Sequence, residues 1–385
     1  MRISILHSRY LSGPVSGENR VVEDEARLLR EAGHHVRVWS PSAEDLGTRL
    51  QLGARAVWSR KASVELRRLI ESDRIEIVHC HNLFPMLSPS VLRTGSLGAS
   101  VVVTLHNYRL LCLPATFLRD GRICEACLGK LPWRGVRYRC YRNSTLASGS
   151  LAASLSIHRA LRTFERVKLF LAVSGFLRAK HIAGGFAPQD IVVKPNFAWP
   201  VERRRGPGEF FLYLGRLSPE KGLHGLLKAW PRQAGRLVVV GDGPDDRRLR
   251  EVAPPEVEFR GSLGPQEAAE TLRRARALVL PSLSFEGSPR TVPEAYAAGV
   301  PVVGSRSGAL PEVIDHGVTG LLAVPGDSSS WTEAIGSLSD DRKVKRLGDG
   351  AWQAWRERYS PERGLEALEA SYQQALNGSS MRRRD

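Results

Sequence analysis

Residues 281–305, PSLSFEGSPRTVPEAYAAGVPVVGS, decide how this chain folds. The apolar run ALVLPS (277–282) leads into a loop of Gly, Ser and Pro. A helix is expected from about Thr291 to Gly299, and PVVGS (301–305) opens another strand. Strand, loop, helix and strand in this order are the repeat of a parallel sheet wound with helices, whose ligands bind beyond the carboxyl ends of the strands. Two carboxylates sit there. Glu294 falls in the first helical turn, where backbone N–H groups lack partners. It has two readings: Thr291-Val-Pro-Glu294 is written as a capping box, and a carboxylate in a crevice can also accept two hydrogen bonds from a diol. Glu286, between Phe285 and Gly287, has no capping role and reads as a ligand for sugar hydroxyls.

The same alternation runs through the rest of the chain. The first half gives RISILHS (2–8), a helix from about Asn19 to Ala32, HVRVWSP (35–41), a helix from about Val57 to Glu71, IEIVHCH (75–81), VVVTLH (101–106) and LFLAVS (169–174). The second gives FFLYLGR (210–216), LVVVG (237–241), VEFRG (257–261) and the two strands above. PNFAWPVERRRGPGE (195–209) is a linker by composition. The expected architecture is α/β, with two Rossmann-like, doubly wound parallel-sheet domains facing across a cleft. Their expected bounds are 1–197, with a cysteine-containing insertion at 107–145, and 198–360. A last helical stretch from 361 is expected to cross back to the first domain before a basic tail.

At 385 residues the chain is long enough for two cores. No apolar stretch approaches the roughly 18 residues of a membrane span. MRISILHSRY reads as a strand rather than a leader, so a cytoplasmic protein is expected. The 56 Lys and Arg against 40 Asp and Glu give a net charge of +16. No nucleic-acid motif accompanies that charge, which excludes DNA or RNA as the expected partner and leaves weak contact with an anionic membrane surface.

Gly215-Arg216-Leu217-Ser218-Pro219-Glu220-Lys221-Gly222 carries a physical anomaly. If Ser218 caps a helix that Pro219 begins, Lys221 lies in the first turn, where a cation opposes the macrodipole by about 0.3–1 kcal/mol. A diphosphate bound between Arg216 and Lys221 would offset that cost. The alternative is a pair with Glu220. Gly241-Asp-Gly243 and Ser16-Gly17 are either phosphate-approach turns or ordinary tight ones. His81-Asn82 and His106-Asn107 end adjacent strands, with His79 on the face of His81 and Cys80 in the core between layers.

SGEN (16–19), TLHNY (104–108), AVSGF (172–176), GRLSPEKG (215–222), VVVGDGP (238–244) and FEGSPRTVPEAYAAGVPVVGSRSGALPEVIDHGVTGLL (285–322) together resemble the retaining glycosyltransferases of family 4, which have the GT-B fold. The resemblance implies a nucleotide-sugar donor held mainly by the second domain. Arg216 and Lys221 would hold the diphosphate and Glu294 the ribose. Glu286 would bind the donor sugar, with His106 reaching it from the other domain. Gly17 would approach the diphosphate, and the amides of Gly287 and Ser288 the donor. His81, Asn82 and Asn107 fall on the acceptor side. Many members read EGFG where this chain has Glu286-Gly287-Ser288-Pro289, which changes the amide donors around the sugar. The implied reaction is front-face transfer with retention to a glycan, lipid-linked or small-molecule hydroxyl. It requires no metal at the diphosphate, because two cations and a helix terminus replace one. The rivals are a nucleotide-sugar epimerase on the same fold and a non-catalytic sugar-nucleotide or anionic-surface binder.

Cys112, Cys124, Cys127 and Cys140 fall together in the insertion. One C-x2-C pair among four thiols fits a structural zinc, reduced unpaired cysteines, or disulfides, the last disfavoured in the cytosol.

Overall fold

The computed structural model describes residues 1–9, 17–41 and 49–381. Ser16 and the arginines at 382–384 lie outside the described residues. Two compact units divide the chain: Met1–Phe117, Glu125–Lys194 and Leu365–Asp385 form one, Leu118–Cys124 and Pro195–Gly364 the other.

The first unit is built on β1 (Arg2–Leu6), β2 (His35–Trp39), β3 (Ile77–Cys80) and β4 (Ser100–Leu105). The insertion after β4 contributes a short antiparallel pair, β5 (Leu118–Arg119) and β6 (Arg122–Ile123), which belongs to the second unit. The chain then returns for β7 (Leu169–Ala172) and β8 (Ile191–Val193). The sheet runs β2-β1-β3-β4-β7-β8, and every pair is parallel. The second unit holds β9 (Phe210–Leu214), β10 (Leu237–Val240), β11 (Val257–Gly261), β12 (Ala275–Leu280), β13 (Val302–Ser305) and β14 (Gly320–Ala323). Its order is β11-β10-β9-β12-β13-β14, again all parallel.

Each order reverses direction once, between β1 and β3 in one sheet and between β9 and β12 in the other. Connections on either side of such a point leave in opposite directions, opening a crevice at the carboxyl ends of the strands. The loops that leave β1, β3, β9 and β12 are therefore placed to meet a ligand.

Parallel strands are covered on both faces, and the second sheet shows it directly. Leu212, Val238, Val240, Leu278 and Leu280 feed one buried cluster. Their neighbours Phe211, Tyr213, Val239, Ala277 and Val279 feed the other. Each such side chain contributes on the order of 1.5–3 kcal/mol by leaving water, so the strands are rigid supports for their loops.

The helix Gly17–Glu31 begins two residues before the expected start. The expected helix over 57–71 is two helices, because Ser59 caps the second, Arg60–Asp73, by accepting from the Ala62 N–H at 3.4 Å. The helix Pro361–Met381 gives all residues from Leu365 onward to the first unit, where Ser100 Oγ donates to the Ala375 carbonyl at 3.3 Å. Among the described residues no helix is long and apolar enough to cross a membrane.

Candidate functional site

In the second unit the site grows from the ends of β9 and β12. After β9 the chain passes Arg216, whose guanidinium is exposed and forms no ion pair among the described residues, and reaches Ser218-Pro219-Glu220-Lys221. These residues make a 3-10 turn, Pro219–Lys221, not the first turn of an α-helix. The expected Ser218 cap is absent: its hydroxyl donates to Glu220 Oε1 at 2.6 Å, since the two are neighbours across the tight turn. The turn closes at Gly222, φ 71°, where an added Cβ would lie 2.1 Å from the Pro281 carbonyl oxygen. Only glycine lets this turn abut the end of β12.

That approach brings Lys221 to Glu286. The ammonium donates to Glu286 Oε1 at 2.7 Å, and Ser282 Oγ donates to the same oxygen. Lys221 thus pairs with an acid 65 residues away, not with its neighbour Glu220. The Glu286 side chain is 13% exposed and that of Lys221 30%, so the pair is half-enclosed. Gly308, φ 61°, rests against the backbone of Glu286, where a Cβ would meet its nitrogen at 2.6 Å, and the Ala309 N–H donates to the Glu286 carbonyl at 3.0 Å. The loop bearing Glu286 is therefore fixed by its backbone, leaving the side chain to face the crevice rim with Lys221.

Glu294 lies in the helix Thr291–Ala297, but the capping box is not formed. Arg290 occupies the cap position without a side-chain cap bond, and Glu294 Oε1 accepts from Arg290 Nε at 2.7 Å instead. The guanidinium one turn away outcompetes the N-terminal N–H groups for this carboxylate. Gly287 and Ser288 are partly buried, and the Ser288 carbonyl accepts from Asn196 Nδ2 at 3.2 Å. The Gly241–Gly243 turn packs on the 215–217 backbone: a Cβ at Gly243 would meet the Leu217 carbonyl oxygen at 2.1 Å. Its glycines serve this close approach. A neighbouring cavity of about 460 Å³, bordered by Gly222, Leu226, Pro281 and Trp331, is mostly apolar and does not match a diphosphate.

In the first unit, His7 follows β1, His81 follows β3 and His106 follows β4, so the reversal point gathers imidazoles. His81 Nδ1 lies 2.9 Å from His106 Nε2. His79, one strand position before Cys80, points to the same face, its ring 4.3 Å from that of His81; Cys80 is fully buried on the other. Glu25, from the helix Gly17–Glu31, enters this cluster fully buried and accepts from the Lys194 ammonium. Its Oε2 is 3.4 Å from His81 Nε2 and 3.9 Å from His79 Nδ1. His79 is held at both nitrogens, by Tyr372 Oη at 2.8 Å and Thr104 Oγ1 at 2.7 Å. Burial alone would raise the Glu25 pKa, yet the Lys194 ammonium beside it holds it below the ordinary carboxylate value. Burial, reinforced by neighbouring positive charge, pushes His79, His81 and His106 well below the usual imidazole pKa, so all three are neutral.

Glu25, His79 and His81 form the one group of three metal-capable side chains with ligand atoms within 4.8 Å among the described residues. With Lys194 on the carboxylate and both His79 nitrogens bonded, the group is an ion-pair network. Of the insertion cysteines, Cys124 belongs to the second unit and Cys112, Cys127 and Cys140 to the first. No disulfide joins them; Cys112 is buried, its thiol pushed up to about 11 by that burial. Asn82 is a loop brace: Nδ2 donates to the Ser8 carbonyl at 2.8 Å and Oδ1 accepts from the Phe84 N–H at 3.2 Å. Asn107 Nδ2 donates to Glu18 Oε1 at 2.6 Å. Gly17 is exposed, with open space where a Cβ would stand.

Glu25, Lys194 and Ser282 were not anticipated. Glu25 did leave a signal, since it shares the helical stripe of Val21, Val22, Leu28 and Leu29, where a carboxylate has no place without a partner. The partner, Lys194, is 169 residues away, and no sequence pattern links the two.

Two doubly wound α/β units, each with a polar constellation at its reversal point, are the GT-B architecture. The family comparison narrows this further: residues 15–198 match the Glycosyltransferase Family 4 model and residues 208–341 the model described as Glycosyl transferases group 1. The chain belongs to the family 4 glycosyltransferases. It is 35% identical over 142 residues to a GDP-mannose-dependent alpha-mannosyltransferase of Corynebacterium glutamicum, a match covering 37% of this chain and 34% of that protein. It is 36% identical over 156 residues to the glycogen synthase of Mycobacterium tuberculosis, covering 37% of each. The matches thus span about a third of these relatives' length. Among solved structures, the sucrose-phosphate synthase of Thermosynechococcus elongatus superposes with a TM-score of 0.69 at 18% identity, over 98% of this chain and 99% of that one. Anabaena HepE in complex with UDP gives 0.65 at 18%, over 96% and 99%.

Proposed function

We propose that this protein is a retaining glycosyltransferase that moves a sugar from a nucleoside-diphosphate sugar to a hydroxyl of a glycan, lipid-linked or small-molecule acceptor. The observation that carries the proposal is the Lys221–Glu286 pair at the β9/β12 reversal point. A carboxylate there is a bidentate acceptor for sugar hydroxyls, and the ammonium it holds is a ready counter-charge for a phosphate. Arg216, exposed on the same stretch after β9, supplies the second cation. Donor binding would draw Lys221 from the carboxylate toward the diphosphate and leave Glu286 to the sugar. Glu294 would accept the ribose hydroxyls while Arg290 orients it.

The two cations would stabilise charge on the departing diphosphate, which in turn accepts the acceptor's proton on the same face of the sugar. This chemistry requires no metal at the diphosphate. In the first unit, His106 is the residue we assign to a sugar hydroxyl. HepE was solved with UDP and with UDP-glucose, and the Corynebacterium relative is named for GDP-mannose, so uridine and guanosine nucleotides are the first donors to test. The test is transfer from each nucleotide sugar to a mixed acceptor panel, with Glu286→Ala and Lys221→Ala alongside. Activity that survives both substitutions would remove the site assignment.

A cytoplasmic protein docking weakly on an anionic membrane fits one further feature. Between Ala126 and Phe164 there is no acidic residue, whereas Lys130, Arg134, Arg137, Arg139, Arg142, Arg159 and Arg162 are all cationic. Leu131, Trp133 and Tyr138 in the same stretch are each about half exposed, at 49%, 50% and 49%. Cations interleaved with exposed aromatic and aliphatic side chains suit a lipid interface.

A further inference from the structure

We propose that Glu25 and Lys194 are a buried positioning pair that fixes which nitrogen of His106 carries its proton, leaving His106 Nδ1 as a hydrogen-bond acceptor for a sugar hydroxyl. The proposal rests on the glycosyltransferase reading above for the identity of the ligand, but not for the proton arrangement. Lys194 occupies Glu25 Oε1. Oε2 then faces His81 Nε2 at 3.4 Å, and among the described residues neither of these buried atoms makes a hydrogen bond, to the other or to a third group. A lone pair on Nε2 would face a carboxylate oxygen and be repelled, whereas a proton there is attracted. His81 is therefore protonated on Nε2.

A neutral imidazole carries one proton, so His81 Nδ1 is an acceptor. His106 Nε2, 2.9 Å away, must be the donor to it. Its own single proton is then committed, and Nδ1 is bare. His106 is partly exposed and lines a small cleft with Asn107, Arg109 and Leu110, where a hydroxyl can approach its ring. The burial that keeps both rings neutral maintains the arrangement. Lys194 is needed because a lone buried carboxylate would take up a proton rather than stay charged. A pair that only tied the Gly17–Glu31 helix to the residue after β8 would not require Oε2 to be left facing an imidazole.

The test is the imidazole nitrogen spectrum of the full chain labelled with ¹⁵N-histidine, assigned with His81→Gln and His106→Gln. The expected result is an unprotonated Nδ1 and a protonated Nε2 on His106. The charge-neutral pair Glu25→Gln/Lys194→Met should mix the two tautomers of His81 and His106. It should also lower kcat for transfer about tenfold, the scale of one oriented hydrogen bond, with the donor KM within about twofold. A proton on His106 Nδ1 in the unsubstituted chain, or tautomers unchanged in the double variant, would overturn the proposal. A double variant that fails to fold leaves the first spectrum to decide. If no nucleotide sugar is turned over, the functional reading fails while the spectrum still judges the proton arrangement.

Discussion

Glu286 and Glu25 are both acids held by a lysine, and their surroundings give them different roles. The Lys221–Glu286 pair is half-enclosed, so breaking it should cost little stability and much function. We expect Glu286→Ala to reduce transfer by about 10²-fold or more while shifting stability by less than about 1 kcal/mol, measured by initial rates and thermal melts. Glu25 and Lys194 have no exposed side-chain surface. Glu25→Gln alone would leave a buried ammonium without its counter-charge and should destabilise by about 3–5 kcal/mol. Adding Lys194→Met should restore most of that loss, which denaturant unfolding would register. At this scale the sequence was legible where chemistry and local pattern coincide: Arg216, Lys221 and Glu286 stand on loops after apolar runs. It was illegible where a partner comes from far along the chain. The Glu294 capping box was a plausible local pattern that Arg290 displaced, and Lys221 found Glu286 instead of the adjacent acid.

Among the elements, strands carry the site and turns aim it. The strand runs and their buried faces were readable because parallel strands must be apolar throughout. Sheet order was not, because it depends on crossovers that no single segment encodes. The Pro219–Lys221 turn reaches β12 only because Gly222 has no side chain. Gly222→Ala should therefore cost about 1–3 kcal/mol and weaken donor binding together, since the 3-10 turn must retreat from Pro281. The β3 and β4 ends impose a pH dependence on the first unit. His79, His81 and His106 are neutral in the fold and held well below their ordinary pKa by burial, and His181 is held down to about 4. In the unfolded chain these residues bind protons near pH 6.5. Stability should be intact above that value and fall as pH drops below it, by on the order of 1 kcal/mol per histidine per pH unit. The lowered pKa of Glu25 acts in the same direction at still lower pH. Chemical unfolding between pH 7.5 and 5 would show the loss.

For the whole molecule, part of the net charge of +16 falls in one acid-free stretch, 126–164. The linker arginines serve the fold of the second unit: Arg203 pairs with Asp349, and Arg204 donates to the carbonyls of Pro207, Ala275 and Arg276. The acid-free stretch 126–164 keeps its cations beside exposed Trp133 and Tyr138. Co-sedimentation with vesicles should detect binding to phosphatidylglycerol but not to phosphatidylcholine. It should weaken with salt, and in Trp133→Ala/Arg134→Glu/Arg137→Glu. The central claim concerns the second unit, that its reversal point holds a nucleoside-diphosphate sugar through Lys221, Arg216 and Glu286. Calorimetric titration of the full chain with UDP, GDP, ADP and TDP, and with their sugars, tests it most directly. We predict binding of one nucleoside diphosphate family. Lys221→Ala should weaken the free nucleotide, and Glu286→Ala should remove only the added affinity of the sugar. Binding of none of them, or binding that neither substitution changes, would contradict it.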